Sequence, residues 1–403
     1  MRSSCLFKVS ILITIKTMNK NLFYYLFAVI CSVSLFTSCS DDDDDKVVCP
    51  VSETTFTDKS GLQLTYSDAP MLGKTVQFVP QGDKAVLTLS GAPLELSGLQ
   101  RNEMPALGGL ATAGVVPGEL TTTLNVDLKI EGDKVSFEGT DEKEGRVLTY
   151  KGEATQSGLQ LDLNVTLPKN ELAGTSWNLA PVKFLSASPI HVVWDADKFP
   201  LGDDGEWDMN GALNLMFGMA PIKDGKTIPQ LLCGVLNKVT FLADGNIQAE
   251  YKDDPSDADW KTSSLNLASY VVKDGKLYVY LNAAQIAAVA ARSRAIDMSF
   301  VTELVKDIIP MLAGGVPLSY SIGEDGKTIV YLDKDVLLPL LQKVAPLFED
   351  EVVINELIEL LKANAGEMAA LVDTFLKPIL VALPNVIATT TEIQIGLTLL
   401  PVV

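Results

Sequence analysis

Three Asp-Gly pairs, each set between alternating apolar runs, narrow most sharply what this chain can fold into. Val239 to Leu242 turns at Asp244-Gly245 into Ile247 to Tyr251, and Leu265 to Val272 turns at Asp274-Gly275 into Leu277 to Leu281. Leu318 to Ile322 turns at Asp325-Gly326 into Thr328 to Leu332. Glycine accepts the positive φ that a tight hairpin needs, so each pair predicts two antiparallel strands. The same period of two runs earlier, through Leu62/Leu64/Tyr66, Val76/Phe78, Leu124/Val126/Leu128/Ile130 and Leu159/Leu161/Leu163/Val165/Leu167. Such strands have one dry and one wet face. Residues 58–170 are therefore expected to form an antiparallel β meander, and residues 171–403 a second antiparallel β domain. Leu159 to Pro168 and Ile393 to Pro401 end the two halves on one pattern, which suggests a degenerate tandem repeat.

Helical patterns interrupt the second half. Phe300, Val301, Leu304, Val305, Ile308, Ile309 and Leu312 mark one apolar helix face behind Asp297. Ala283 to Arg292, Lys334 to Phe348, Glu351 to Ala363 and Gly366 to Leu380 read as further helices. Lying between strands, they must pack on the sheet, on its open end or on one another. The expected fold class is mainly β with α insertions, with the helical insertion carried by the second of two antiparallel β domains.

Ahead of these halves the apolar run Leu22 to Leu35 follows Asn19, Lys20 and Asn21. At about 14 residues it is short for a ~30 Å hydrocarbon core and fits a secretory signal, with Met18 as its start. Residues 1–38 are assigned to that signal and 39–57 to a tether. The first 38 residues hold Arg2, Lys8, Lys16 and Lys20 and no acid, which leaves 28 basic against 51 acidic residues, a net −23. That charge argues against a nucleic-acid partner and against docking on an anionic surface through the globular part.

Catalytic apparatus is hard to assemble from these residues. His191 is the only histidine, and Ser186, Ser188 and Cys233 lack a nucleophile motif around them. No catalytic residue and no cofactor is assigned. Cys49 and Cys233 are the one intramolecular disulfide open to the chain if Cys39 is modified. Glu206, Asp208 and Asn210 take the first, third and fifth positions of a calcium loop, but its twelfth position is Phe217, so a solvated acidic loop is the competing account. Trp194, Trp207 and Trp260 each adjoin an aspartate, which suits sugar stacking; they equally suit a hydrophobic plug at the base of a barrel.

Two resemblances bear on function. Thr37-Ser38-Cys39 after the apolar run resembles the lipobox of bacterial lipoproteins, and Ser40 with Asp41 to Asp45 resembles the acidic export signal of Bacteroidota-type surface lipoproteins. They imply lipidation of Cys39, a membrane partner through that anchor, and an outer-membrane, cell-surface location; as a bare charge run the aspartates are a solvated tether. Leu172-Ala173-Gly174-Thr175-Ser176-Trp177 resembles the opening of a lipocalin-like (calycin) domain, with one extra residue between Gly174 and Trp177. It implies a barrel around one small ligand in residues 171–403. The expected function is a non-catalytic envelope lipoprotein binding an apolar or amphipathic small molecule. A surface glycan- or protein-binding adhesin using the three tryptophans is the alternative, and a carboxylate-dependent hydrolase the third.

Overall fold

Strict alternation sets the register of the first ten strands. In chain order they are β1 (Thr54–Thr57), β2 (Leu62–Tyr66), β3 (Ala69–Pro70), β4 (Lys74–Gln81), β5 (Lys84–Gly91), β6 (Thr121–Asp127), β7 (Lys129–Glu131), β8 (Lys134–Lys143), β9 (Arg146–Thr155) and β10 (Gly158–Thr166). They sort into two sheets, β1-β4-β5-β6 and β3-β2-β10-β9-β8-β7. Val76, Phe78, Leu87 and Leu89 from one sheet and Leu148, Leu161 and Leu163 from the other are 0% exposed and share one core. This β-sandwich corrects the expected meander. A single meandering sheet leaves its dry face in water, whereas two sheets cover each other. The chain also steps from β1 in one sheet to β2 in the other, so β2 pairs β10 in parallel, Leu62 opposite Leu159.

The computed structural model describes residues 48–93, 112–184, 186–200, 205–219, 221–223, 225–290, 311, 313–365 and 369–402. These belong to one compact unit running from Val48 to Val403. Cys39, the aspartate run and nearly all of the helix expected at Phe300 to Leu312 lie outside the described residues.

The second half begins with β11 (Thr175–Leu179), β12 (Ile190–Asp195), β13 (Phe199–Pro200), β14 (Glu206–Trp207), α1 (Met209–Met219), β15 (Pro221–Lys223), β16 (Lys226–Thr227) and α2 (Ile228–Val235). It continues through β17 (Leu236–Phe241), β18 (Asn246–Tyr251), β19 (Lys261–Thr262), β20 (Ala268–Lys273), β21 (Lys276–Leu281) and α3 (Ala283–Ala290). It ends with β22 (Val316–Ile322), β23 (Thr328–Leu332), α4 (Lys334–Val344), α5 (Glu351–Ala365), α6 (Lys377–Thr389) and β24 (Glu392–Pro401). Eight of these strands close an antiparallel barrel in the order β11-β17-β18-β20-β21-β22-β23-β24, and β24 returns to β11 through Trp177 opposite Pro401. The three hairpins are those the Asp-Gly pairs predict, with φ of 88° at Gly245, 74° at Gly275 and 75° at Gly326. The tandem repeat does not hold: β10 sits in the sandwich and β24 in the barrel, and only their alternation is shared.

β24 is longer than the barrel wall it completes. Its edge carries β11 along Leu399 to Pro401 and β12 along Glu392 to Leu397. Leu397 and Leu399 face the barrel core, while Ile393 and Ile395, on the same face of the strand, pack with α1, α4 and α6. The helices thus cover the continuation of the barrel's inner face beyond the wall. Val372–Thr389 is long and apolar enough to cross a membrane by length and composition, but Ile379, Val386 and Ile387 are buried within this cap.

Asparagines join barrel to sandwich. Asn266, at φ 64° and 3% exposed, places its Nδ2 within 3.0–3.2 Å of the carbonyls of Tyr66, Ala69 and Pro70. Asn282 donates to Leu72 O at 3.0 Å, and Tyr66 Oη donates to Asp244 O at 2.5 Å.

Inside the sandwich Lys74 is 3% exposed, and its Nζ donates to Ala113 O (2.7 Å) and Gly114 O (3.0 Å). Burial pulls its pKa from 10.5 down to about 8, with Asp58 opposing. Between pH 8 and 10.5 the unfolded chain therefore binds a proton that the folded chain does not, so this lysine makes stability rise with pH across that window. The difference amounts to about 3 kcal/mol. Chemical denaturation at pH 7.5 and pH 9.5 checks it: Lys74→Met should lose this gain relative to the unsubstituted protein.

Candidate ligand-binding site

The barrel's inner face follows from its register. Phe241 opposes Ile247, Tyr270 opposes Val279, Leu277 opposes Leu318, Tyr320 opposes Val330, Val330 opposes Leu397, and Leu179 opposes Leu399. Opposed residues project to the same side, so these pairs define one continuous inner surface. Read around the ring, no inward position carries Asp, Glu, Lys or Arg. Charges such as Lys238 and Glu250, paired at 2.8 Å, stand on the outside.

One end of this interior is sealed. Trp177, Phe241, Tyr270, Leu277 and Leu399 are each at most 6% exposed. The Phe241 and Tyr270 rings meet edge to face, centroids 5.0 Å apart. Tyr270 Oη donates to Leu242 O at 2.9 Å, and burial pushes its pKa to about 12. The rest of the interior is different. Val239, Ile247, Val272, Val279, Leu318, Val330 and Leu397 point inward and are only half-buried, in contrast to the 0% of their counterparts in the sandwich. A packed core hides such side chains completely, and these are not hidden to that degree.

α2 sets a thiol beside the same cluster. Thr227 begins this helix, its backbone N–H donating to Gln230 Oε1 at 2.9 Å. Cys233 packs with the barrel interior, and burial raises its pKa, so it is a protonated apolar filler at neutral pH. Cys49 packs against the sandwich core instead. Both are free, so the possible Cys49–Cys233 bridge is not formed here: each cysteine belongs to a different core.

Trp194, Trp207 and Trp260 do not form one platform. Trp194 is 5% exposed, and its Nε1–H donates to Thr390 Oγ1 at 2.9 Å. Trp207, opposite Phe199 in the β13–β14 ribbon, joins the same helical core. These two plug the cap rather than the barrel base, which Trp177 fills. Trp260 is 38% exposed and stacks under Lys252 Nζ, 4.7 Å from its centroid.

The suspected calcium ligands have other work. Asp208 Oδ1 accepts Gly211 N–H at 2.7 Å and so starts α1, while Asn210 Oδ1 accepts Trp194 N–H at 2.5 Å and ties α1 to β12. Glu206 lies exposed on β14. Among the described residues no three His, Cys, Asp or Glu side chains are placed to hold a metal. His191 stands on the outer face of β12, its ring 5.6 Å from that of Tyr331.

Alternation marks the lumen residues in the sequence, but their half-exposure carries no sequence signal. Comparison with protein-family models, with curated proteins and with solved structures finds no match to this chain.

Trp194→Ala is expected to lower the unfolding free energy by about 3–5 kcal/mol, the usual cost of emptying a buried aromatic site. Trp260→Ala should stay within about 1 kcal/mol. Equilibrium denaturation of both variants checks the assignment of one to the core and the other to the surface.

Proposed function

We propose that this chain is a non-catalytic envelope lipoprotein that holds an apolar or amphipathic small molecule in the barrel lumen. The observation that carries this is the burial contrast: central sandwich residues such as Val76, Leu87 and Leu161 are 0% exposed, whereas seven apolar residues of the charge-free inner wall of the barrel are only half-buried. An eight-stranded barrel is wide enough for one small ligand. The barrel meanders from β11 to β24 with Trp177 at its sealed end, which supports placing it with lipocalin-like barrels. On this view the sandwich and the barrel are two domains, with Cys39 as the lipidated anchor and the outer membrane as the location. The adhesin alternative loses its main support in the burial of Trp194.

The test is titration of the purified protein with the apolar dye N-phenyl-1-naphthylamine. Saturable fluorescence gain is expected. Val279→Trp and Leu397→Trp, which add bulk inside the lumen, should weaken binding roughly tenfold or more and leave Tm within about 4 °C. Absence of dye binding together with a larger Tm loss in both variants would mean that the interior is a solid, overpacked core.

A further inference from the structure

A cavity lies on the outer side of the barrel, where β24 changes partner from β11 to β12. Ala180 N–H donates to Thr398 O (2.9 Å), and Thr398 N–H donates to Pro189 O (2.8 Å). The chain therefore leaves the wall at one residue of β24 and returns at the same residue, and the intervening loop stands out from the barrel. Between loop and wall is a cleft of about 390 Å³. That is the size of a small-molecule site.

We infer that this cleft binds a small soluble molecule bearing a carboxylate or phosphate group, recognised by Lys183, Lys327 and His191. The lining is the argument. The chain has 51 acidic residues against 32 basic ones, yet the cleft is lined by two lysines and the only histidine and by no Asp or Glu. Some lysines of the barrel and its cap are ion-paired, as Lys238 is with Glu250 (2.8 Å), Lys276 with Asp333 (3.1 Å) and Lys362 with Asp373 (2.7 Å). Lys183 and Lys327 make no ion pair among the described residues, so their ammonium groups are available to an anion.

Hydroxyl and imidazole groups complete the lining. Ser188 Oγ donates to Pro181 O (2.9 Å), and Ser186 Oγ accepts Ser188 N–H (3.2 Å), which leaves the Ser186 hydroxyl hydrogen to give. Gln394 donates its Nε2 to Glu392 Oε1 (3.1 Å), which turns its Oε1 toward His191 Nε2 at 2.9 Å. That bond assigns the proton to Nε2 in the neutral ring.

One histidine in the whole chain gives one imidazole signal in a carbon–proton NMR spectrum, with no assignment needed. The full chain is titrated with sodium phosphate and with sodium citrate, against sodium chloride at matched ionic strength. A saturable shift of the His191 signal with either anion but not with chloride is expected. In the Lys183→Ala/Lys327→Ala variant, which alters only exposed side chains, the apparent affinity should fall at least about tenfold. No saturable shift with either anion, or a shift of undiminished affinity in the double variant, would overturn the proposal.

Discussion

One strand with three partners holds the second half of this protein together. β24 pairs β23 along one edge, and along the other it pairs β12 and then β11, end to end. The β11 contact closes the barrel and removes its free edges. The β12 contact extends the wall past the barrel and supplies the surface on which α1, α4 and α6 pack. Gly396 makes this arrangement possible: a Cβ there would lie 2.0 Å from Val330 O and 2.7 Å from Tyr331 Cβ. Over that bare position the His191 and Tyr331 rings approach from either side. Lumen, cap and outer cleft are all consequences of how this strand divides its edge.

The two halves reach stability by different routes. In the sandwich, two sheets hide each other's apolar faces, and even a lysine is drawn in to satisfy the Ala113 and Gly114 carbonyls. The barrel relies on closed hydrogen bonding and on its sealed end. Asn266 links the two by donating to three carbonyls of the β2–β3 turn region, and only a residue that tolerates a left-handed backbone can sit at its φ of 64°. A rigid sandwich thereby holds the hairpin end of the barrel.

Local chemistry was legible in the sequence and long-range pairing was not. Asp244-Gly245, Asp274-Gly275 and Asp325-Gly326 encode their hairpins within a few residues, and alternation gives the inward face of every barrel strand. Nothing in the alternation near Trp177 or Pro401 announces that they pair: a barrel was implied only by the resemblance carried by Leu172 to Trp177, and the shared edge of β24 had no signal at all. The sandwich was read as a meander because alternation reports a dry face without saying what covers it. α1 was missed because Asp208 and Asn210 look like solvated acids or calcium ligands, whereas one caps the helix and the other pins it to β12. Trp194 shows the same limit: a polar-tipped ring beside Asp195 suits a sugar until its indole N–H is found donating to Thr390.

Incomplete burial of the barrel's inward residues carries an energetic consequence. Full burial of a valine, leucine or isoleucine stabilises by about 1.5–3 kcal/mol, so leaving an inward residue partly accessible forfeits a fraction of that. Val239, Ile247, Val272, Val279, Leu318, Val330 and Leu397 all stand in that condition. A chain whose neighbouring sandwich brings Val76, Leu87 and Leu161 to 0% exposure shows no general inability to fill a core. An apolar occupant would complete the contacts that these side chains lack, and its binding free energy would then appear as barrel stability, because the unfolded chain offers no lumen. Such an occupant would have to be apolar, since the inner wall offers no charge to hold a polar guest.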